Sequence, residues 1–159
     1  MLSPFLPTRN AKSLSKRGSL HRDHVRILDF YLLFPFRIGD IRLMPRHRKY
    51  KGLAKRFPEP YGELPDDQSL FSRMELIQKA AMESLARKNL IDPDKWAVGE
   101  VTATENKIPA ELSSRIEQRN QEQKELLELL DSLAGEYSFL GSDGLKSRTG
   151  LLEFRYDAI

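Results

Sequence analysis

Hydrophobic residues recur at intervals of three and four along three stretches of the chain, which is the spacing of one face of an α-helix. The first stretch predicts a helix from about residue 20 to residue 34, with Ser19 as its N-terminal cap. Its apolar positions cover almost the whole circumference, so this helix needs to be covered on nearly all sides. Pro35 ends it, and a short helix is expected over residues 36–43.

The second stretch predicts the clearest helix, starting at Asp66, Asp67 or Ser69 and stopping at Asn89. The residues expected on its buried face share helical spacing: Leu70, Phe71, Met74, Leu76, Ile77, Ala81 and Leu85. After this helix, alternating apolar positions around Gly99 predict a short β-hairpin. A helix, a tight stop and a hairpin are typical of the second half of a winged-helix motif.

The third stretch predicts a long helix from Pro109 to Leu133, terminated by Gly135. Its first half is very polar and is expected to project into solvent or to lie along a partner, whereas its second half is densely apolar. The predicted fold is therefore mainly α, with a winged-helix-like core, a small β-hairpin wing and a long C-terminal helix.

Three parts of the chain are expected from these patterns. Residues 1–19 form a flexible basic arm, and residues 20–105 form the winged-helix-like core, including a basic loop over residues 45–65. Residues 106–159 form the long helix and a turn-rich extension that packs on the core or on a partner. Composition alone also allows an organellar transit peptide at the start, but Pro4 and Pro7 interrupt any helix there and favour the arm.

The composition is that of a soluble globular protein, with 40% hydrophobic and 31% charged residues. No apolar run approaches the ~20 residues of a membrane span, so no membrane association is expected. The chain has no cysteine, which excludes disulfides and thiolate nucleophiles and fits a cytoplasmic location. Residues 1–60 carry 14 Lys and Arg against 4 Asp and Glu, while residues 61–159 carry 12 against 19. This asymmetry indicates an anionic partner for the first part.

No pattern of catalytic or metal-binding residues is convincing. His21 and His24 are two candidate ligands from one helical turn, without the further ligand that a metal site needs. The segment Gly141–Ser147 lacks the Gly-Lys pair of a phosphate loop and is expected to be a turn. No Gly-x-Ser-x-Gly elbow and no enclosed pair of carboxylates is evident. We therefore expect a non-catalytic protein without metal or cofactor.

The segment from residue 46 to residue 56 is the one plausible nucleic-acid-binding element. Its cations suit phosphate contacts and its aromatic ring suits base stacking, which makes the candidates Arg46, Arg48, Lys49, Tyr50, Lys51, Lys55 and Arg56. A solvated loop, or a loop that docks on an acidic protein surface, is the alternative. The exposed face of the second helix mixes acidic and basic residues, which disfavours sequence-specific recognition by that helix.

Four stretches carry a resemblance to a known family. They are RILDFYLLFPFRIGDIRL at residues 26–43, PYGELP at 60–65, LIQKAA at 76–81 and GLKSRTGL at 144–151, followed by Tyr156-Asp157. In these stretches the chain resembles the middle components of bacterial ABC three-component systems, which include Lamassu-like anti-phage defence. The resemblance spans about residues 20–157 and contains no catalytic signature.

The resemblance implies a partner-dependent function. It predicts a winged-helix or kleisin-like adaptor that bridges an SMC- or Rad50-like ABC ATPase and an effector nuclease in a hetero-oligomer. The segment of residues 46–56 adds a candidate for non-specific DNA contact. The residues expected at the partner interface come from the matching stretches and from the polar half of the third helix: Phe30, Leu33, Phe34, Phe36, Leu112, Ile116, Lys146 and Arg148. The alternative function is a free-standing, homodimeric winged-helix transcriptional regulator.

Overall fold

The computed structural model of the protein describes residues 18–59 and 62–152. The expected basic arm therefore lies almost entirely outside the described residues, as do Tyr61 and the Tyr156-Asp157 pair. The elements, in chain order, are β1 (Leu20–His21), α1 (Arg22–Leu33), two 3₁₀ helices (Pro35–Asp40 and Pro45–Arg56), α2 (Asp67–Arg87), α3 (Pro93–Ala97), β2 (Glu100–Val101), α4 (Ala110–Glu122), α5 (Lys124–Gly135) and α6 (Leu145–Thr149). The fold is mainly helical, as predicted.

Helix α1 is the centre of the molecule. Every residue from His24 to Leu32 is buried, because α2, α5 and the first 3₁₀ helix pack around it within the same chain. The predicted cap at Ser19 is wrong, since residues 20–21 are extended and pair with β2. His21 caps the helix instead, and its Nδ1 accepts a hydrogen bond from the Asp23 N–H at 3.1 Å.

The β-structure differs from the predicted hairpin. Leu20 pairs with Val101 and His21 with Glu100 in a two-stranded antiparallel sheet, and a separate bridge joins Ile91 to Ala103. The chain does turn back at Gly99, which adopts a left-handed φ of 81°, but residues 93–97 before it form α3 instead of a strand, so the two arms meet only at the Ile91–Ala103 bridge and its flanking hydrogen bonds. The winged-helix assignment is therefore not confirmed.

Helix α2 begins and ends as predicted, and its buried face agrees with the prediction in part. The Asp66 carboxylate accepts from the Ser69 N–H at 3.0 Å, and Asn89 adopts a left-handed φ of 53° just after the helix. The buried residues are Phe71, Met74, Gln78, Met82, Leu85 and Ala86. Leu76 is 79% exposed and Ile77 is 47% exposed, so their assignment to the buried face is wrong.

The predicted helix from Pro109 to Leu133 is interrupted. Gln123 has φ −121° and ψ 36°, outside the helical region, and it separates α4 from α5. A single long C-terminal helix is accordingly not confirmed, although the helical region does end at Gly135. The short helix predicted over residues 36–43 is a 3₁₀ helix that begins one residue earlier.

The buried side chains form two clusters. The larger one joins α1, both 3₁₀ helices, the first turns of α2, all of the apolar side of α5, and Leu145 and Leu151. The smaller one lies at the other end of α1 and contains Val25, Met82, Leu85, Ala86, Ile91 and Val101. Within the ranges that the structure describes, no helix is both long enough and apolar enough to cross a membrane.

A buried polar contact holds α1 against α2. The Arg26 guanidinium donates from Nε to Gln78 Oε1 at 2.8 Å and from Nη2 to the Phe71 carbonyl at 3.2 Å. Gln78 Nε2 in turn donates to the Arg26 carbonyl at 3.2 Å, and Asp23 forms an ion pair with Arg26 at 3.0 Å. The guanidinium also lies 4.2 Å from the centre of the Phe71 ring. Gln78 thus supplies the acceptor that the Arg26 guanidinium needs inside this interface, and its own burial is compensated by these hydrogen bonds.

We expect the substitution Gln78→Met to lower the free energy of unfolding by about 1–3 kcal/mol, because it keeps the side-chain volume but leaves the Arg26 Nε–H without its acceptor. Gln121→Met, at an exposed position of α4, is the matched control and should stay within about 0.5 kcal/mol of the parent. Urea unfolding followed by circular dichroism measures both. Equal effects of the two substitutions would contradict this role of Gln78.

His24 gives the fold a dependence on pH. The ring is buried and its Nε2 donates to the Leu133 carbonyl at 3.0 Å, which joins α1 to α5. Burial lowers the pKa of His24 below its usual 6.5, against the opposing effect of this hydrogen bond. The unfolded chain therefore takes up a proton at His24 more readily than the folded protein does.

We expect the free energy of unfolding to be fully maintained above pH 6.5 at this site and to decrease as the pH falls from 6.5 toward the lower pKa of the folded protein. His24→Gln keeps a donor for the Leu133 carbonyl and should flatten this dependence, whereas the exposed His21→Gln should not. Urea midpoints measured from pH 7.5 to pH 5 test it. The same slope in His24→Gln and in the parent would refute the assignment.

Candidate functional site

The 3₁₀ helix Pro45–Arg56, called the basic segment below, is attached to the protein by one side. This segment was expected to be a loop with at most one helical turn, around residues 51–56, and the structure extends the helical part to twelve residues. Side chains three positions apart lie above one another in a 3₁₀ helix. His47 and Leu53 are buried, and Tyr50 between them packs partly against the larger cluster. This repeat of three turns one ridge of the segment into the core, and on the other two ridges only Ala54 also packs partly against it.

The outer ridges of the basic segment carry cations. The exposed side chains on them are Arg46, Arg48, Lys49, Lys51 and Lys55, and Arg56 is exposed at the end of the attached ridge. No acidic residue occurs from residue 41 to residue 58. Within the described part of the chain, no carboxylate lies within ion-pair distance of Arg48, Lys49, Lys51 or Lys55. Among the described residues, the charge of these four cations is therefore uncompensated.

Carboxylates of α5 and of the residue after it hold the two ends of the basic segment. Arg46 Nη2 lies 3.2 Å from Glu136 Oε1, and Arg56 Nη1 lies 3.0 Å from Glu125 Oε1. A hydrogen bond from the Ser132 hydroxyl, followed by the proximity of His47 and Arg46, lowers the pKa of the Glu136 carboxyl. Both arginines are candidate nucleic-acid contacts, and their charge is partly neutralised inside the chain.

A hydrogen-bond chain through Tyr137 fixes the start of the basic segment. The Tyr137 hydroxyl accepts from the Met44 N–H at 2.9 Å and lies 2.8 Å from His47 Nδ1. It can donate to that nitrogen, which places the proton of a neutral His47 on Nε2. His47 Nε2 is 3.1 Å from Glu136 Oε2 and donates to it. Sequence reasoning missed Tyr137, because nothing near residue 137 indicates a partner 90 residues away.

The aromatic residues of this region are not arranged for base stacking. Tyr50 and Phe57 both pack partly buried against the larger cluster, and the Tyr50 ring centre lies 6.2 Å from that of His47. Lys49 Nζ lies 5.1 Å from the Tyr50 ring centre. A base needs an open ring face on which to stack, and Tyr50 is held between a core histidine and a lysine instead.

The structure divides the apolar candidates for a partner interface. Phe30 is 0% exposed and packs against Tyr31, Phe34 and Phe71, so this chain itself covers it. Leu33, Phe34 and Phe36 remain partly exposed at the end of α1. The Phe34 and Phe36 ring centres are 6.0 Å apart, and the Arg37 guanidinium lies 5.5 Å from the Phe36 ring.

The remaining interface candidates lie in α4 and α6. Leu112 is partly exposed, whereas Ile116 is only 3% exposed. Arg148 is occupied within the chain, since its Nη1 donates to the Arg42 carbonyl at 2.7 Å and its Nε to the Asp143 carbonyl at 2.6 Å. Lys146 Nζ lies 5.3 Å from the Phe139 ring centre. Arg148 therefore fastens α6 to the chain before the basic segment.

The residues considered above as candidates for a metal site or a phosphate loop make structural contacts within the chain. The His21 ring stacks on Phe139 with ring centres 4.8 Å apart, and His24 donates to Leu133 as described above. Gly141 and Gly144 bracket a turn closed by a 3.1 Å backbone hydrogen bond, as predicted for this segment. The cleft between α1, α2 and α3 has a volume of about 30 Å³, which is room for water but not for a metabolite.

We expect Tyr137→Phe to lower the free energy of unfolding by about 1–3 kcal/mol, because it leaves the buried Met44 N–H and His47 Nδ1 without a partner. Tyr50→Phe is the matched control, since no hydroxyl partner of Tyr50 lies in the described ranges, and it should have little effect. Thermal and urea unfolding measure both substitutions. If Tyr137→Phe is as stable as the parent, the hydroxyl does not hold the basic segment.

Comparison with known proteins gives one match. Residues 10–157 match the protein family described as ABC-three component (ABC-3C) system Middle Component 5. No curated protein and no solved structure matches the chain.

Proposed function

The chain belongs to the Middle Component 5 family of ABC-three component systems, and from this membership we propose that it is a non-catalytic adaptor in a multi-subunit defence complex. In this proposal it bridges an SMC- or Rad50-like ABC ATPase and an effector nuclease, acts in the cytoplasm and contributes to anti-phage defence. The observation that carries the proposal is the extent of the family match, which covers residues 10–157 of 159.

The surface offers two chemically different regions that support an adaptor role. Leu33, Phe34 and Phe36 form a partly exposed apolar patch at the end of α1. The basic segment is a polar region with uncompensated charge. An apolar patch with aromatic side chains suits contact with a protein subunit, and a cationic surface suits an anionic partner. We assign the patch to a protein partner and the basic segment to non-specific DNA contact.

The second candidate function is a free-standing winged-helix transcriptional regulator, and the same cationic surface supports it. A regulator of that kind needs an element that reads bases in a groove. Helix α2 exposes Leu76 and Ile77 between charges of both signs, which does not favour this role. Equilibrium sedimentation distinguishes the two candidates, because the regulator is expected to be a homodimer and the adaptor to associate with a different chain.

Purification of the tagged chain from its native host, followed by mass spectrometry, tests the adaptor proposal. Recovery of a coiled-coil ATPase and a nuclease in a fixed ratio is the expected result. Recovery of the chain alone, or with DNA only, would remove the support for an adaptor and favour the regulator.

We expect Phe36→Ala to reduce recovery of the protein partners at least about tenfold, because truncating an aromatic interface anchor typically costs 2 kcal/mol or more. Leu140→Ala, which removes an exposed apolar side chain from the turn before α6, should leave recovery unchanged. Circular dichroism confirms folding of both variants. Equal recovery by the two variants would exclude Phe36 from the interface.

A further inference from the structure

The cations of the basic segment lie in rows. With three residues per turn and a rise of about 2 Å per residue, side chains three apart lie about 6 Å apart along the axis. One row contains Arg46, Lys49 and Lys55, with Gly52 filling the remaining position. The next row contains Arg48 and Lys51 and ends at Ala54, which packs partly against the larger cluster. Two rows of cations on one helix suit a linear array of anions.

The same geometry turns the large apolar side chains of the basic segment toward the protein and away from the cationic surface. The large apolar and aromatic residues of the region, His47, Tyr50, Leu53 and Phe57, belong to the ridge that packs on the protein or adjoin it. Protein–protein interfaces depend on aromatic or aliphatic anchors at their centre. Binding to a phosphate backbone needs no such anchor and depends on cations alone. The surface therefore favours a nucleic acid over an acidic protein.

Duplex is favoured over single-stranded nucleic acid for a related reason. Proteins that hold single strands without sequence preference stack the bases on exposed aromatic rings. Tyr50 and Phe57 are partly buried and give no such platform beside the cations. In a duplex the bases are stacked on each other and only phosphates and grooves are presented, which matches what the basic segment can contact.

We propose that the basic segment docks on the phosphate backbone of double-stranded DNA through Arg48, Lys49, Lys51 and Lys55, independently of sequence. The inference rests on the DNA contact in the proposed function and deepens it by naming the form of DNA and the residues. Arg46 and Arg56 have a different role, because Glu136 and Glu125 hold them against the protein. They position the segment, and the four cations between them bind.

The first test is a matched pair of fourfold variants of the full chain. One replaces Arg48, Lys49, Lys51 and Lys55 by alanine, and the other replaces the equally exposed Arg73, Lys79, Lys88 and Lys107. Both remove one arginine and three lysines, so they change the net charge equally. Fluorescence anisotropy with a labelled 30-base-pair duplex of random sequence should show at least a tenfold loss of affinity in the first variant and less than a threefold loss in the second.

The dependence of DNA affinity on salt concentration gives the number of phosphates that the basic segment neutralises. Four neutralised phosphates give a slope of about −3.6 in a plot of log affinity against log salt, which is about a hundredfold loss between 50 mM and 200 mM. The fourfold variant of the basic segment should have a slope close to zero. Two duplexes of unrelated sequence should bind equally, and the matching single strand should bind more weakly than the duplex.

Gly52 allows a test that removes no cation. No atom lies within 4 Å of the position that a Cβ would take, and its φ lies outside the left-handed region, so other residues fit there. Gly52→Glu places a negative charge in the row of cations and should weaken DNA binding. Gly52→Lys should strengthen it, and Gly52→Ala is the neutral control.

Three results would overturn the inference: equal affinity of the two fourfold variants, preference for the single strand, or the same affinity in all three Gly52 variants. Failure of the parent chain to bind duplex DNA would overturn it too.

The adaptor proposal is judged separately by recovery of protein partners from the host. Normal recovery by a chain without DNA affinity would leave the adaptor intact and reject only the DNA site. Loss of partner recovery in the Gly52→Glu variant, with no DNA binding by the parent, would show that an acidic protein occupies this surface.

Discussion

The complete burial of α1 is the constraint on which the rest of the structure depends. A helix that is apolar on almost every side has no face to turn toward water, and each neighbouring element is placed to cover part of it. The sequence suggested that a partner subunit would supply this cover. The chain supplies it itself, by bringing α5 and the first 3₁₀ helix to one side and α2 to another. One consequence is that Phe30 contributes to stability inside the chain, and only the end of α1, at Leu33 and beyond, remains partly exposed.

Polar contacts between distant parts of the chain then select one arrangement of these elements. Arg26 and Gln78 satisfy each other between α1 and α2, and a slide of either helix would separate them. Tyr137 and Glu136 do the same for the basic segment, whose attached ridge they hold beside α5. Burial supplies the driving force for packing, while these contacts determine which side of each element faces outward. The orientation of the cationic rows is a product of that second effect.

Local signals in the sequence predicted where the elements begin and end better than they predicted which elements pack against each other. The start of α2 was predicted at Asp66, Asp67 or Ser69 and its stop at Asn89, and the structure has Asp66 as the cap, because capping depends on residues adjacent in sequence. The buried face of α2 was predicted only in part, since a pattern of apolar residues favours Ile77 and does not indicate that Arg26 needs Gln78. The break at Gln123 could not be predicted, because no proline or glycine adjoins this residue in the sequence. Family membership was recognised from short matching stretches, whereas the winged-helix core, the three-part division of the chain and the interface and DNA residues stay predictions.

The repeat of three in the basic segment affects how this surface can change in evolution. Exposed segments between helices usually accept insertions and deletions, because their backbone is not tied to the core. Here an added residue would turn everything after it by about a third of a turn. An insertion between Tyr50 and Leu53 would place Gly52 or the added residue in the buried position and bring Leu53 out to solvent. The segment is thus free to vary in the identity of its outer side chains but not in its length, which is a restriction more familiar from the interior of a protein than from its surface.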